Sequence, residues 1–303
     1  MKNYPIRLKI YGVRGSHPPT NGDITHFGVN TTCLRCDIGK HVLIIDAGTG
    51  IINLGTDIIS ELKSGKSKQN LFKLFLFFTH THLDHLIGFP YFSMIYVPQT
   101  ELHIIAPILN NSSIKKTLET WMSPAFFPVT IPELSSSFFY YDFSENRRVF
   151  FLENDFRIVH IKDENNVKDW VAKISCIRNY THPKGGTYIY KIENPEGKSI
   201  VIATDIEGFV GGDQRLIKFA KKANILIHDA QYSLEEYQLF QGFGHSTYEM
   251  ACEVAKKAKV EKLLLFHHDP KHTDEELSEL ENQAKEIFSE TYMATESMEF
   301  IIS

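Results

Sequence analysis

Apolar and polar side chains alternate from Ile6 to Val13, which predicts a half-buried strand ending at Arg14-Gly15-Ser16. Thr32 to Asp37 and His41 to Ile45 predict a hairpin turned by Ile38-Gly39-Lys40. Asp46-Ala47-Gly48-Thr49-Gly50 then makes a tight turn into an amphipathic helix, with Ile51, Ile52, Leu54, Ile58, Ile59 and Leu62 on its buried side. Leu71 to Phe78 is apolar apart from Lys73 and reads as a buried strand. A strand over Leu102 to Ala106 and a helix over Ser113 to Trp121 follow.

Further strands are predicted at Arg148 to Leu152, Phe156 to Ile161, Val171 to Arg178, Thr187 to Ile192 and Ser199 to Ala203. Helix and strand then alternate: Gln214 to Lys222, Ile225 to His228, Thr247 to Ala258, Lys262 to Phe266 and Asp274 to Ser289, with a last strand at Met298 to Ile302. Two β-rich halves, each finished by helices, imply an α/β fold of two packed sheets with helices outside. No Pro/Gly/Ser-rich linker or change of charge character divides the chain, so residues 1–303 are expected to form one domain.

The chemistry is concentrated behind the strand at Leu71 to Phe78. His80, His82, Asp84 and His85 place three imidazoles and a carboxylate within six positions, the donor types that zinc, manganese or iron accept. Four side chains are too many for one open centre that also draws ligands from elsewhere, so a paired metal site is expected. Polar residues follow four other predicted strands: His182 in Tyr180-Thr181-His182-Pro183, Asp205 after Ala203-Thr204, His228-Asp229, and His267-His268-Asp269. His80, His82 and His182 can hold one ion and Asp84, His85 and His267 a second, with Asp205 bridging. Two ions about 3.5–4 Å apart polarise a substrate oxygen and generate hydroxide at neutral pH. His267 and His268 are neighbours, so in an extended chain only one faces the metals, and His267 is nearer the strand end. His245, between glycines in Gly242-Phe243-Gly244-His245-Ser246-Thr247, is the candidate proton donor, with Asp229 holding its tautomer. Ser246 or Thr247 is expected to cap the helix that follows.

Charge and cysteine usage narrow the partners. A formal net charge of −5 argues against capture of long nucleic acid, which normally needs a basic surface. Cys33, Cys36, Cys176 and Cys252 are expected to be plain thiols, because the C-x-x-C pair has no second pair and lies on a strand. No apolar signal core or bilayer-length apolar stretch is visible, so a cytoplasmic protein without membrane contact is expected. A homodimer is the default assembly.

Taken together, Gly12-Val13-Arg14-Gly15-Ser16, Asn30-Thr31-Thr32-Cys33, Asp46 to Gly50, His80 to His85, His182, Ala203-Thr204-Asp205, Gly244 to Thr247 and Phe266-His267-His268 resemble the metallo-β-lactamase superfamily. Within it the chain resembles the phosphodiesterase branch that includes ribonuclease Z. The resemblance implies an αββα sandwich, a metal-dependent phosphodiesterase, two divalent ions (zinc first, manganese or iron also fitting), Asp84 orienting the attacking water, and His245 as general acid.

Ribonuclease Z carries a tRNA-gripping arm between the ligands matching His182 and Asp205; here that interval holds two strands and the turn Asn194-Pro195-Glu196-Gly197. His182 to Tyr188 and Trp121 to Leu134 look like small-substrate members, the phosphoribosyl cyclic phosphodiesterases and the anti-Pycsar enzymes that destroy 3′,5′-cyclic nucleotides. Lys184 is inserted where relatives often have His-Pro-Gly-Gly, which hints at a cation near the phosphate. The expected substrate is a cyclic nucleotide, the 3′,5′ form first. A 2′,3′-cyclic or phosphoribosyl-cyclic phosphate is the alternative, and tRNA 3′ processing a lesser one. A metal-assisted nucleotide-binding protein and a lactonase-type acyl hydrolase are rivals from other classes. Trp121, Phe126, Phe127 and Phe138 to Tyr141 are read first as packing or interface, and second as a platform for a nucleobase.

Overall fold

The computed structural model describes residues 3–20, 26–64, 72–109 and 111–303. Leu71, the expected first residue of the strand before the histidine cluster, lies outside the described residues, as do Met1 and Lys2. The first half runs β1 (Ile6–Gly12), β2 (Cys33–Ile38), β3 (His41–Ile45), α1 (Gly50–Lys63), β4 (Phe72–Phe77), β5 (Thr100–Ala106), α2 (Ile114–Trp121) and β6 (Ser137–Asp142). There follow β7 (Arg147–Leu152), β8 (Phe156–His160), β9 (Trp170–Asn179), β10 (Thr187–Glu193), β11 (Ser199–Ala203), α3 (Gln214–Phe219) and β12 (Ile225–Asp229). The chain finishes with α4 (Leu234–Phe240), α5 (Tyr248–Ala258), β13 (Lys262–Phe266), α6 (Asp274–Ile287), β14 (Thr291–Met293) and β15 (Glu299–Ile302).

One sheet has the order β15-β1-β2-β3-β4-β5-β6 and the other β14-β13-β12-β11-β10-β9-β7-β8. The last strand thus returns to the first sheet, pairing antiparallel with β1. The strands from β3 to β6 are parallel, as are those from β11 to β14. Both parallel blocks point their carboxyl ends at the same rim, where open α/β sheets gather ligands.

β4 shows why its run is apolar on both faces. Phe75 and Phe77 enter the core between the sheets with Leu8, Phe151, Ile174 and Tyr190, while Leu74 and Leu76 face the outer layer with Ile51, Leu54 and Leu118. On the other side, Val201, Leu226 and Leu263 pack against Leu216, Ala251 and Leu277 of the outer helices. Each large side chain removed from water in this way contributes roughly 1.5–3 kcal/mol before entropy is counted. The layers are helix, sheet, sheet, helix, as the element order implied.

Several expectations need correction. Ile52 is exposed, because it sits about 100° round the helix from buried Ile51. α3 ends at Phe219 rather than Lys222, and Lys222 takes a left-handed φ of 58° as the chain turns toward β12. β6 and α4 were not foreseen; α4 carries the Ser233–Glu236 capping box that could have announced it. The interval between β10 and β11 is a tight turn in which the Asn194 and Lys198 backbones bond, without an arm. All four cysteines are buried free thiols. Among the described residues no helix is long and apolar enough to cross a membrane.

Candidate metal centre

Each expected ligand, and Asp229 with them, arrives at one rim. His80, His82 and the short turn Leu83–His85 follow β4, His182 lies between β9 and β10, Asp205 follows β11, Asp229 ends β12 and His267 follows β13. Asp205 and His267 have left-handed φ angles of 56° and 64°, as does Asp46 at 61° after β3. Non-glycine residues pay about 1–2 kcal/mol for that conformation. It turns three side chains sharply off their strands and into the rim. Gly15 is needed for another reason: a Cβ there would stand 2.3 Å from the His267 ring.

Two ligand groups result. His80, His82 and His182 form one, and Asp84, His85, Asp205 and His267 the other, with the ligand atoms of each group within 4.8 Å of one another. In the first, His182 Nε2 lies 2.9 Å from His82 Nδ1. In the second, His267 Nε2 is 3.0 Å from Asp205 Oδ1 and 3.2 Å from Asp84 Oδ2, and His85 Nε2 is 3.2 Å from Asp205 Oδ2. The Asp205 carboxylate also faces the first group, 3.8 Å from His80 Nε2 and 3.9 Å from His182 Nε2.

Supporting contacts fix the tautomers. His85 Nδ1–H donates to Asp46 Oδ2 at 2.9 Å, His267 Nδ1–H to Gln231 Oε1 at 2.9 Å, and His182 Nδ1–H to the Gly244 carbonyl at 3.0 Å. Each bond leaves Nε2 of the same ring directed at the centre. Asp46 also accepts from the Thr79 amide and hydroxyl, and Thr79 Oγ1 lies 3.1 Å from His80 Nδ1. Ser16 N–H donates to Asp84 Oδ2 at 2.9 Å.

These residues fit divalent cations. His80 Nε2 and His85 Nε2 are buried without a hydrogen-bond partner, which is costly unless an ion takes the lone pair. Imidazole nitrogens and carboxylate oxygens are donors that borderline divalent ions accept. Electrostatics agree. Burial disfavours charge on His267, but Asp205, Asp84 and Asp229 outweigh it and lift its pKa to about 10. Burial also opposes ionisation of Asp205, yet His267, His85 and His80 hold it well below the ordinary carboxylate range. The carboxylates demand positive charge, which protons supply until a metal displaces them.

His245 completes the rim. Its Nδ1–H donates to Asp229 Oδ2 at 2.8 Å, and its ring stacks on His267 with centroids 4.9 Å apart. Asp229 Oδ1 also accepts the Ser246 amide. Thr247 caps α5, its hydroxyl accepting the Met250 amide. His228 and His268 turn away; His268 Nε2 donates to the Ala294 carbonyl and burial lowers its pKa to about 3. Lys184 is exposed in the loop between β9 and β10.

The aromatic stretch behaves mainly as packing. Phe138 and Tyr140 join the outer core and Phe139 stacks on His103, away from the ligands; Phe126 remains exposed beside Trp121. Sequence reasoning did not give Asp46 its part in orienting His85, and it missed Gln231 altogether. Asp46 ends a strand exactly as the ligands do, and that position was its signal.

The β-lactamase superfamily domain matches residues 41–268, about three quarters of the chain. The chain belongs to this superfamily. Among curated relatives it is 27% identical to the ribonuclease Z of Picrophilus torridus, covering 93% of each chain. It is also 27% identical to that of Thermoplasma acidophilum, covering 97% of this chain and 96% of the relative. Among solved structures it is similar to the metallo-β-lactamase fold protein YhfI of Bacillus subtilis, with a TM-score of 0.68, 16% identity, and 99% and 100% of the chains covered. A diphosphatase of the PhnP family matches with a TM-score of 0.61 at 15% identity over 97% of both chains, which concerns the fold alone. The superfamily, the ribonuclease Z-like branch and the His/Asp cluster make this a metal-dependent hydrolase.

Proposed function

We propose that the protein is a dinuclear-metal phosphodiesterase that opens a cyclic nucleotide, the 3′,5′ form first, to a nucleoside monophosphate, with zinc as the ion. The observation that carries this reading is His245, held by Asp229 at 2.8 Å and stacked beside His267. A ribose alkoxide is a poor leaving group and needs a proton, whereas the thiolate of a thioester leaves without one.

Two divalent cations, when bound, supply Lewis acidity toward the phosphoryl oxygens and the attacking water. His80, His82 and His182 would hold one, Asp84, His85 and His267 the other, and Asp205 both. Asp84, tied to the Ser16 amide, orients the water for in-line attack on phosphorus. His245 passes its Nε2 proton to the departing ribose oxygen while Asp229 stabilises the charged imidazole that precedes transfer. The tight β10–β11 turn and the net charge of −5 favour a small substrate over a polynucleotide. A second reading, tRNA 3′-end processing, draws on the ribonuclease Z relatives.

Incubation of zinc-loaded protein with 3′,5′-cyclic AMP, GMP, CMP and UMP, a 2′,3′-cyclic phosphate and a precursor tRNA separates these readings. Release of 5′- or 3′-monophosphate from a 3′,5′ ring supports the proposal. Turnover of the 2′,3′ ring alone, or of the tRNA alone, replaces it. His245→Ala is expected to slow ring opening about 10²–10⁴-fold with metal content unchanged.

A further inference from the structure

The turn Gly242-Phe243 that leads into His245 is exposed, whereas His245, Ser246 and Thr247 are buried. Gly242 and Gly244 have φ angles of +90° and +94°, and Gly242 has open space where a side chain would be. Two backbone bonds secure the ends of this stretch, from the Phe243 amide to the Phe240 carbonyl and from the Tyr232 amide to the Ser246 carbonyl. Ser246 is held by Asp229 Oδ1 and by the Ile206 carbonyl, whereas the amides of Gly242 and Gly244 converge on one side chain that the mechanism has not used. Glu207 Oε1 accepts the Tyr237 hydroxyl at 2.9 Å and the Gly242 amide at 2.8 Å, and Oε2 accepts the Gly244 amide at 3.1 Å. Glu207 is itself secured, since its amide donates to Thr181 Oγ1 at 2.8 Å, next to His182. One residue, through its backbone amide and its carboxylate, therefore joins the loops that deliver His182, Asp205 and His245. Backbone amides converging on an anion in this way form a preorganised nest.

We propose that Glu207 is a positioning residue for proton transfer: by clamping Gly242 and Gly244 it sets the place of His245. This rests on reading His245 as the proton donor. The clamp also explains Gly244, whose carbonyl takes the His182 Nδ1–H and whose missing side chain is required, because a Cβ would stand 2.5 Å from His182 Nδ1. A glutamine at 207 retains one carbonyl oxygen and turns an amide donor toward a backbone donor, so it restores the clamp only in part.

The test compares wild type, Glu207→Ala, Glu207→Gln, His245→Ala and the double variant Glu207→Ala/His245→Ala, each loaded with zinc and analysed for metal. Two diesters are used. 3′,5′-Cyclic AMP expels an alkoxide that needs a proton; bis(p-nitrophenyl) phosphate expels a phenolate that does not. Glu207→Ala is expected to raise the ratio of aryl-ester to cyclic-ester rates about 10²-fold, as His245→Ala does, with Glu207→Gln in between. The double variant is expected to be no slower than His245→Ala, because the two act as one unit. Equal losses on both diesters, or losses that multiply in the double variant, overturn the proposal. Should wild type leave every cyclic nucleotide intact, the substrate reading fails, and Glu207 is judged on metal-free protein by imidazole NMR. A hydrogen-bonded His245 Nδ1–H resonance that disappears in Glu207→Ala, with β13 amides still protected from exchange, supports the clamp; an unchanged His245 resonance refutes it.

Discussion

Two ends of the same sandwich bury histidines, and only one end makes chemistry of them. At the rim after β4, β11 and β13, imidazoles meet Asp84, Asp205, Asp229 and Asp46. Away from it, His103 lies flat between Phe75 and Phe139 with centroids 4.9 and 4.8 Å away, and His41 donates to the Leu152 carbonyl. Burial lowers the pKa of both His41 and His103 and keeps them neutral. At the rim burial lowers His80, His82 and His182 as well, but at the fully buried His85 and His267 carboxylates overrule it and raise them. Burial alone makes histidine a packing residue. Burial opposite several carboxylates makes a seat for cations.

The largest expected effect lies at the carboxylate shared by both ligand groups. Asp205→Asn is expected to lose at least about 10³-fold in turnover, corresponding to several kcal/mol of charge stabilisation, and to bind fewer than two zinc ions. Metal analysis beside kinetics reads both; two tightly held ions in this variant would dissolve the contrast between the ends.

A smaller effect is expected at His272, which is hydrogen-bonded to one carboxylate, Glu236, with Asp269 and Glu276 acting from farther off, and so stands between the extremes. Its Nε2 lies 2.9 Å from Glu236 Oε2. Burial works against its charge, but Glu236 prevails and raises its pKa above the ordinary 6.5. Burial likewise raises Glu236, yet His272 and the Ser233 amide bring it down to about 2. The raised histidine contributes stability fully present below pH 6.5 and lost as pH rises through its folded value. The depressed glutamate contributes stability present above its unfolded 4.5 and lost as pH falls through about 2. Chemical unfolding of wild type against His272→Leu is expected to differ by about 1 kcal/mol near pH 5.5 and by less near pH 9. A difference that grows with pH would reverse the assigned sign.

The smallest effect is expected at the other end. His103 Nε2 has no hydrogen-bond partner and Glu101 stands 3.7 Å from it. His103→Leu is expected to keep full activity and to alter stability by less than about 1.5 kcal/mol, since similar volume is retained and the loss of the Nδ1 bond to the Tyr141 hydroxyl is offset by removal of the unpaired Nε2. Loss of turnover on this substitution would show that the two ends are coupled.

This contrast also separates what could be read in the chain from what could not. His80, His82, Asp84 and His85 are legible because they are contiguous and follow an apolar run. Asp205, Asp229 and His267 are legible because each closes a strand of three or four apolar residues, so its position on the rim follows from topology. Gln231 and Glu207 carry no such mark. Their roles depend on which loops lie side by side, a matter settled by tertiary packing. Phe138 to Tyr141 are four consecutive aromatics, so no alternation of apolar and polar residues marked β6 among its loop neighbours. His267 over His268 was decided by which of two adjacent side chains faces the rim, and the left-handed φ of 64° at His267 turns it there.

We propose that seven side chains seat a pair of cations, with Asp205 common to both. Anomalous scattering from a crystal of the zinc-loaded protein tests it directly. Two peaks are expected, one ligated by His80, His82 and His182 and one by Asp84, His85 and His267, with an Asp205 oxygen on each. A single peak, or two peaks that leave Asp205 or His267 unligated, would contradict the account.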